Sequence, residues 1–395
     1  REEGNGRKRG PVQAGDAASS YAALFSSGLK DQLMAWNEYS LLAELCEATL
    51  SVTSPDHREL SNLEWVAIQQ TLGIMYFLLG KYTQSIARLI KALDSVPTGE
   101  HPEVRIRLLI DLAESYNSNG DIVTAMEICE HSIVALSKIQ NEGLHAKALQ
   151  LRGIINRGQG NIEQAVKDLE DSLFLYERIK DQTGISYVTG ELGIVYYYQN
   201  QFAKAIANYK RALSLCKARH DMRGVMIGHF NIGDIMLQDE QYELAVKELQ
   251  AAWEMAHKRK LVNIESLAGL YVTEARLALL QFDKVEEDLN KLHNLISTQA
   301  SPSLSGQELV LQAGLHWKRK QFEQATESFD RAFSLLKSEN CKYERARAYL
   351  AFAGFLKDQG KLDEASITLQ KGREIFVALN NKLGLQTIER ALKGL

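Results

Sequence analysis

The sequence predicts an all-α fold: a solenoid of about eight helix-turn-helix repeats, each 40 residues long, closed at its ends by capping helices. Three observations predict it. An apolar or aromatic residue stands three positions before a small one, and the pair recurs every 40 residues. Two further series of small residues keep the same register. Proline is scarce, 5 in 395 residues, so few positions force a helix to break.

The first series runs Tyr82/Ser85, Ile122/Ala125, Ile162/Ala165, Phe202/Ala205, Tyr242/Ala245, Phe282/Val285, Phe322/Ala325 and Leu362/Ala365. The second runs Gly73, Ala113, Gly153, Gly193, Gly233, Thr273, Ala313 and Ala353; the third runs Ala92, Ser132, Ser172, Ala212, Ala252, Leu292, Ala332 and Gly372. Small residues at fixed intervals are what two helices need where they cross, because they let ridges settle into grooves at an axial separation of about 8–10 Å. Gly80, Gly120, Gly160 and Gly360 fall between the paired helices, where a left-handed residue ends the first. Asp181, Asp221 and Asn381 each stand three residues before a glycine (Gly184, Gly224, Gly384), placed to cap the next helix.

Leu72-Gly73-x-x-Tyr76, Leu192-Gly193-x-x-Tyr196, Ala325-x-x-x-Phe329 and Pro97 resemble the signature of the tetratricopeptide repeat (TPR) family, over roughly residues 57–395. The period of 40 rather than the family's usual 34 resembles the long-repeat subgroup of Partner-of-Inscuteable-type adaptors and bacterial signalling proteins, and predicts longer helices. The resemblance implies a right-handed superhelix with the first helix of each repeat on its concave face. It also implies a protein or peptide partner held in that groove, without catalysis. A regulatory or sensor segment of a larger signalling protein with a nucleotide-binding, cyclase or kinase domain is the alternative, and a structural scaffold in a large assembly a third. No three consecutive repeats present the Lys/Asn, Asn, Lys/Arg set of the clamp that grips chaperone C-termini.

The expected organisation is a disordered linker or terminal segment over 1–20, capping helices over 21–56, eight repeats over 57–384 and a capping helix over 385–395. Arg7-Lys8-Arg9 belongs to the linker. An amphipathic helix is expected over 31–50, from Leu33, Trp36, Leu41, Leu45 and Ala48. Since the chain starts at Arg1 and not Met, it is expected to be a piece of something longer or a processed product. Repeat six departs most: Thr273, Val285 and Leu292 are large for their series, and Leu280 replaces the turn glycine. Added bulk should therefore matter less at Thr273 than at Gly193, and an altered curvature or a loop is expected near Pro302.

The net charge of -4 gives no general attraction for nucleic acid. No stretch approaches the roughly 20 apolar residues of a membrane helix. Cys46, Cys129, Cys216 and Cys341 lie too far apart for a disulfide framework or zinc motif, which suits buried thiols in a reducing, cytoplasmic compartment. There is no phosphate-binding glycine loop, Gly-x-Ser-x-Gly elbow or His-Glu-x-x-His helix. His229 and His316 have no second ligand at metal spacing. No catalytic residue, metal or cofactor is expected.

The inner-face positions are those one and four residues after each small first-helix marker, and three and six before it. They make a basic zone of Arg107, Lys147 and Arg157 with Asn117 beside it, then an aromatic zone of Tyr187, Tyr197, Tyr198 and Phe230, followed by Asp234 and Glu274, with Trp317 further on. Arg347 and Leu350 fall in the same series. A peptide with acidic residues at one end and apolar anchors in its middle would complement these zones. Alternatively, long helices tighten the superhelix and these residues pack against one another.

Overall fold

The computed structural model describes residues 38–52, 60–379 and 381–395, together with Lys30, Leu33 and Met34. The expected linker over 1–20, its basic cluster and Trp36 lie outside the described residues. Those described form eighteen α-helices, with no strand among them.

The first helix, α1 (Tyr39–Val52), buries Leu42 and Cys46 completely against the next one and corresponds to the end of the expected capping helix. The repeats follow as antiparallel pairs: α2 (Asn62–Leu78) with α3 (Tyr82–Asp94), α4 (Pro102–Ser118) with α5 (Ile122–Leu136), α6 (Glu142–Gly158) with α7 (Ile162–Arg178), and α8 (Gln182–Tyr198) with α9 (Phe202–Ala218). They continue with α10 (Met222–Gln238) and α11 (Tyr242–Lys258), α12 (Val262–Ala278) and α13 (Phe282–Ser297), α14 (Pro302–Lys318) and α15 (Phe322–Leu335), and α16 (Lys342–Asp358) and α17 (Leu362–Ala378). The last helix, α18 (Lys382–Lys393), has no second helix after it. It starts three residues before the expected 385, because Asn381 caps it by accepting the Gly384 N–H at 2.7 Å.

Each apolar or aromatic residue of the first series opens a second helix, and every partner from Ser85 to Ala365 is 0% exposed. The reason is contact distance. A Cβ on Gly73 or Gly153 would lie 2.8 Å from Leu89 or Leu169, and one on Gly193 would lie 2.6 Å from the Tyr209 ring. The leucine or tyrosine of the second helix occupies the volume that the glycine vacates. Thr273, Val285 and Leu292 are fully buried as well. The larger residues of repeat six thus sit inside the same crossing.

Most helices are 17 residues, about 25 Å long at 1.5 Å per residue, and short turns join them. In all eight turns within repeats an N–H bonds the carbonyl five residues back, from Lys81 to Tyr76 at 2.8 Å through to Lys361 to Leu356 at 3.0 Å. This is the glycine-type helix stop. The preceding residue is left-handed each time: Gly80, Gly120, Gly160 and Gly360 as expected, but Asn200, Glu240, Leu280 and Lys320 in the repeats that lack glycine.

Near Pro302 the expected loop does not form. Pro302 is the first residue of α14, capped by the Ser301 side chain, because a helix start has no use for the missing N–H. The irregular joint lies elsewhere, after α15, where Glu339–Cys341 form a 3₁₀ turn. The four cysteines are buried and unpaired, and burial pushes the thiols of Cys46 and Cys129 up to about 12. Among the described residues no helix is long and apolar enough to cross a membrane. Two compact units divide the chain, one ending at Gly184 and the other beginning at Ile185, inside α8.

Candidate partner-binding cleft

In the first unit the inner positions of α2, α4 and α6 are joined directly. Lys147 donates from Nζ to Asp111 Oδ1 at 2.5 Å, and Gln70 donates to Asp111 Oδ2 at 2.6 Å. Burial opposes the Lys147 charge, yet Asp111 and Glu114 outweigh it and hold the ammonium pKa above its ordinary value. Burial likewise raises the Glu114 carboxyl, against the pull of Lys147. Within the expected basic zone Lys147 is committed to carboxylates of its own chain, Arg107 is exposed, and Asn117 and Arg157 are half-buried.

In the second unit the first helices line a cleft of about 340 Å³. Tyr197 and Tyr198 come from α8, Asp234 and Gln238 from α10, and Tyr343, Arg347 and Leu350 from α16; Phe376 of α17 and the start of α18 complete the wall. Behind it, Arg347 reaches Glu274 of α12, with Nη2 at 2.7 and 2.6 Å from the two carboxylate oxygens. Its guanidinium lies 5.4 Å from the centre of the Tyr271 ring, which packs on Phe230 at 5.1 Å. Repeat seven carries Gly314 where repeats five and six carry Asp234 and Glu274, so it offers no side chain of its own there. Asn200, in the turn after α8, donates to Gln386 of α18 at 2.6 Å.

Asp234 is the unusual group of this cleft. Burial pushes its carboxyl up to about 6, with Arg347 and a long 3.5 Å bond from Gln238 pulling the other way and Glu274 adding to the rise. Burial, reinforced by Asp234, also raises the Tyr197 hydroxyl.

The structure thus brings together Tyr197, Tyr198 and Asp234, with Glu274 joined to them through Arg347. Phe230 is half-buried and packs on Tyr271, against the core. Tyr187 stands 62% exposed and is not in the lining. Trp317 is also elsewhere, donating to Asp358 at 3.1 Å. His229 and His316 are ordinary hydrogen-bonded histidines, paired with Glu248 at 2.6 Å and Gln321 at 2.8 Å. Sequence reasoning did not single out Arg347, Tyr343 or Gln238. Arg347 was within reach as a cation on an inner position, two repeats from Glu274 with a glycine between.

A larger cavity of about 800 Å³ lies along α11 and α13, and six of its charged side chains pair with each other. His257 meets Glu265 at 2.7 Å, Lys291 meets Glu287 at 2.6 Å and Arg276 meets Asp288 at 2.5 Å. Among the described residues no three His, Cys, Asp or Glu side chains are grouped to hold a metal.

Antiparallel helix pairs in one fixed register, with an inner face built from the first helices, define an α-helical repeat protein. The tetratricopeptide repeat family model matches residues 144–218, and the described residues as a whole form an all-α solenoid of such helix pairs. It is 24% identical over 227 residues to the KINESIN LIGHT CHAIN-RELATED 3 protein of Arabidopsis thaliana, a stretch that is 53% of this chain and 35% of that protein. The chain therefore spans about a third of the relative it matches. Its fold is similar to a Rap protein complexed with competence and sporulation factor, at TM-score 0.56 and 14% identity, covering 85% of this chain and 98% of that one. It is also similar to a signal transduction ATPase with numerous domains and a tetratricopeptide repeat sensor from Pyrococcus horikoshii, at TM-score 0.60 and 14% identity, covering 84% of this chain and 54% of that one.

Proposed function

We propose that this chain is a protein-interaction module that takes a segment of a partner polypeptide into the cleft of its second unit. The observation that carries this reading is the cleft itself. Four first helices and α17 converge on a preformed recess that sets aromatic rings and an arginine, the kinds of group that usually carry interface energy, beside a half-buried carboxylate. The fold likeness to a Rap protein that is itself complexed with competence and sporulation factor supports it. The role is one of holding rather than catalysis, and the buried, unpaired cysteines suit a reducing, cytoplasmic setting.

A second reading, a sensor segment controlling an attached signalling domain, draws support from the likeness to the repeat-bearing signalling ATPase. The two share the cleft and differ in what binding does.

Photo-cross-linking tests the shared core of both. A photo-reactive residue placed at Leu350 should capture partner polypeptides, whereas one at the exposed Ile367 of α17 should not. Tyr197→Ala should weaken capture at Leu350 by about thirtyfold, the equivalent of about 2 kcal/mol for truncating an anchor. Equal capture at both sites, insensitive to Tyr197→Ala, would dismiss the cleft.

A further inference from the structure

The charges of the cleft do not balance. Of its two charged lining residues, Asp234 and Arg347, the guanidinium is already held from behind by Glu274 through both carboxylate oxygens, which leaves two carboxylates to one cation. Asp234 receives the Tyr197 hydroxyl and the long bond from Gln238. The rings of Tyr197, Tyr198 and Tyr343 line the same recess. Electron-rich ring faces beside a carboxylate attract cations, and the attraction strengthens when water is excluded.

We infer that the cleft selects a cationic side chain, a lysine or arginine of the bound segment, seated among Tyr197, Tyr198 and Tyr343 beside the Asp234 carboxylate. This rests on reading the cleft as a partner site. An acidic side chain would meet Asp234 without a cation to answer it, since Arg347 already has its partner. An apolar one would seal Asp234 away from water unpaired, which is costly for a charged group. Only a cation supplies what the recess lacks. The volume of about 340 Å³ lies at the small end of ligand sites and suits one anchor side chain rather than a folded domain. A peptide with acidic residues at one end, expected from the sequence, gives way here to one with a basic anchor.

Protonation follows. The groups that face or adjoin Asp234 are Tyr197 and Tyr198 on α8, Gln238 on α10, Tyr271 and Glu274 on α12, and Tyr343 and Arg347 on α16. Burial raises the hydroxyl pKa of Tyr197, Tyr271 and Tyr343, so these stay neutral, and Arg347 is held above its ordinary value and stays charged. The Asp234 carboxyl titrates near 6, so a cation should bind better as pH rises through that value.

The test is selection of random twelve-residue peptides displayed on phage against the whole chain at pH 7.5, followed by affinity measurement on synthetic copies. Selected peptides should share one Lys or Arg, and replacing it with Met should weaken binding about tenfold or more. Asp234→Asn, which removes a buried charge and leaves the backbone undisturbed, should erase that difference, while Asp234→Glu should retain part of it. Wild-type affinity should drop about tenfold between pH 7.5 and 5. Peptides that need Tyr197 yet ignore the Lys→Met change, or that keep their basic preference on Asp234→Asn, would overturn the cation anchor and leave the interaction module standing. Selection of no peptide that depends on Tyr197 would overturn both.

Discussion

The two units treat charge on their inner faces in opposite ways. In the first, Lys147 is bonded to Asp111 and adjoins Glu114, with Gln70 completing the group, so the charges meet within the chain. In the second, Arg347 answers Glu274 and leaves Asp234 over, at the wall of an open cleft. The same architecture thus uses ionisable groups as internal fastening in one unit and, on the function proposed above, for recognition in the other. The difference separates stability from recognition: removing a fastened charge should weaken the fold, whereas removing the leftover one should strengthen it.

The largest effect should come from Lys147→Met. It strands Asp111, which is 5% exposed, with only Gln70 as donor. Breaking a buried pair costs about 3–5 kcal/mol. Lys147 keeps 38% of its side chain in solvent, so we expect a lower figure, about 2–3 kcal/mol. Because repeats depend chiefly on their neighbours, the loss should stay near α2–α6. Native-state hydrogen exchange should show faster opening there and unchanged protection in α10–α17. A loss spread evenly over the chain would mean that the network is not a local fastening.

Close packing should come next. Gly193→Leu forces bulk against the Tyr209 ring, at an expected cost of about 1–3 kcal/mol or more. Thr273→Leu also enlarges a fully buried position and loses the hydroxyl bond to the Gly269 carbonyl at 2.8 Å. It should cost about 1 kcal/mol rather than nothing, since repeat six already accommodates larger neighbours. Thermal unfolding of the two variants by circular dichroism gives the ranking, and the reverse order would discredit the register.

Asp234→Asn should act with the opposite sign. The folded-state carboxyl titrates near 6 against an ordinary 3.8, so the native state favours the protonated acid. That contribution is complete below pH 3.8 and disappears as pH rises through 6. Asp234 retains some solvent contact, so the part lost is about 1–2 kcal/mol. The Asn variant should melt at the wild-type temperature at pH 4 and several degrees higher at pH 8. A lower melting temperature at pH 8 would make Asp234 a fastening like Asp111.

The repeat register was legible because it is a local requirement. Helices that cross at every repeat need a small residue at every crossing, and the eight buried positions from Ser85 to Ala365 record it directly in the chain. The cleft was half legible. Tyr197 and Asp234 hold inner positions that periodicity identifies, Tyr198 adjoins Tyr197, and all three line it. Its decisive pairing was not, because Glu274 and Arg347 are 73 residues apart. Whether they meet depends on how each helix pair is rotated against the next, a quantity that no spacing encodes. Lys147 looked like part of an open basic zone for the same reason: its acidic partner belongs to another repeat.

The turns carry the smallest contrast, and they divide the units as well. Gly80, Gly120 and Gly160 close every turn within a repeat of the first unit, while Asn200, Glu240, Leu280 and Lys320 do so in four of the second, all with φ between 58° and 61°. A side chain in that conformation brings Cβ towards the carbonyl oxygen, a strain that glycine lacks. Of the four, Leu280 has the least to offer in return: it is 58% exposed and, unlike asparagine, has no polar group to bond the nearby backbone. Leu280→Gly should therefore stabilise the second unit, by up to about 1 kcal/mol, with the extra freedom of the unfolded glycine offsetting part of the relief. Gly120→Leu in the first unit should cost about 1–2 kcal/mol, since it introduces the strain where it is absent. Urea unfolding midpoints of the two exchanges should move in opposite directions. If Leu280→Gly instead lowers the midpoint, the exposed leucine contributes to the fold through contacts that outweigh its strained backbone, and the non-glycine turns of the second unit are a source of stability.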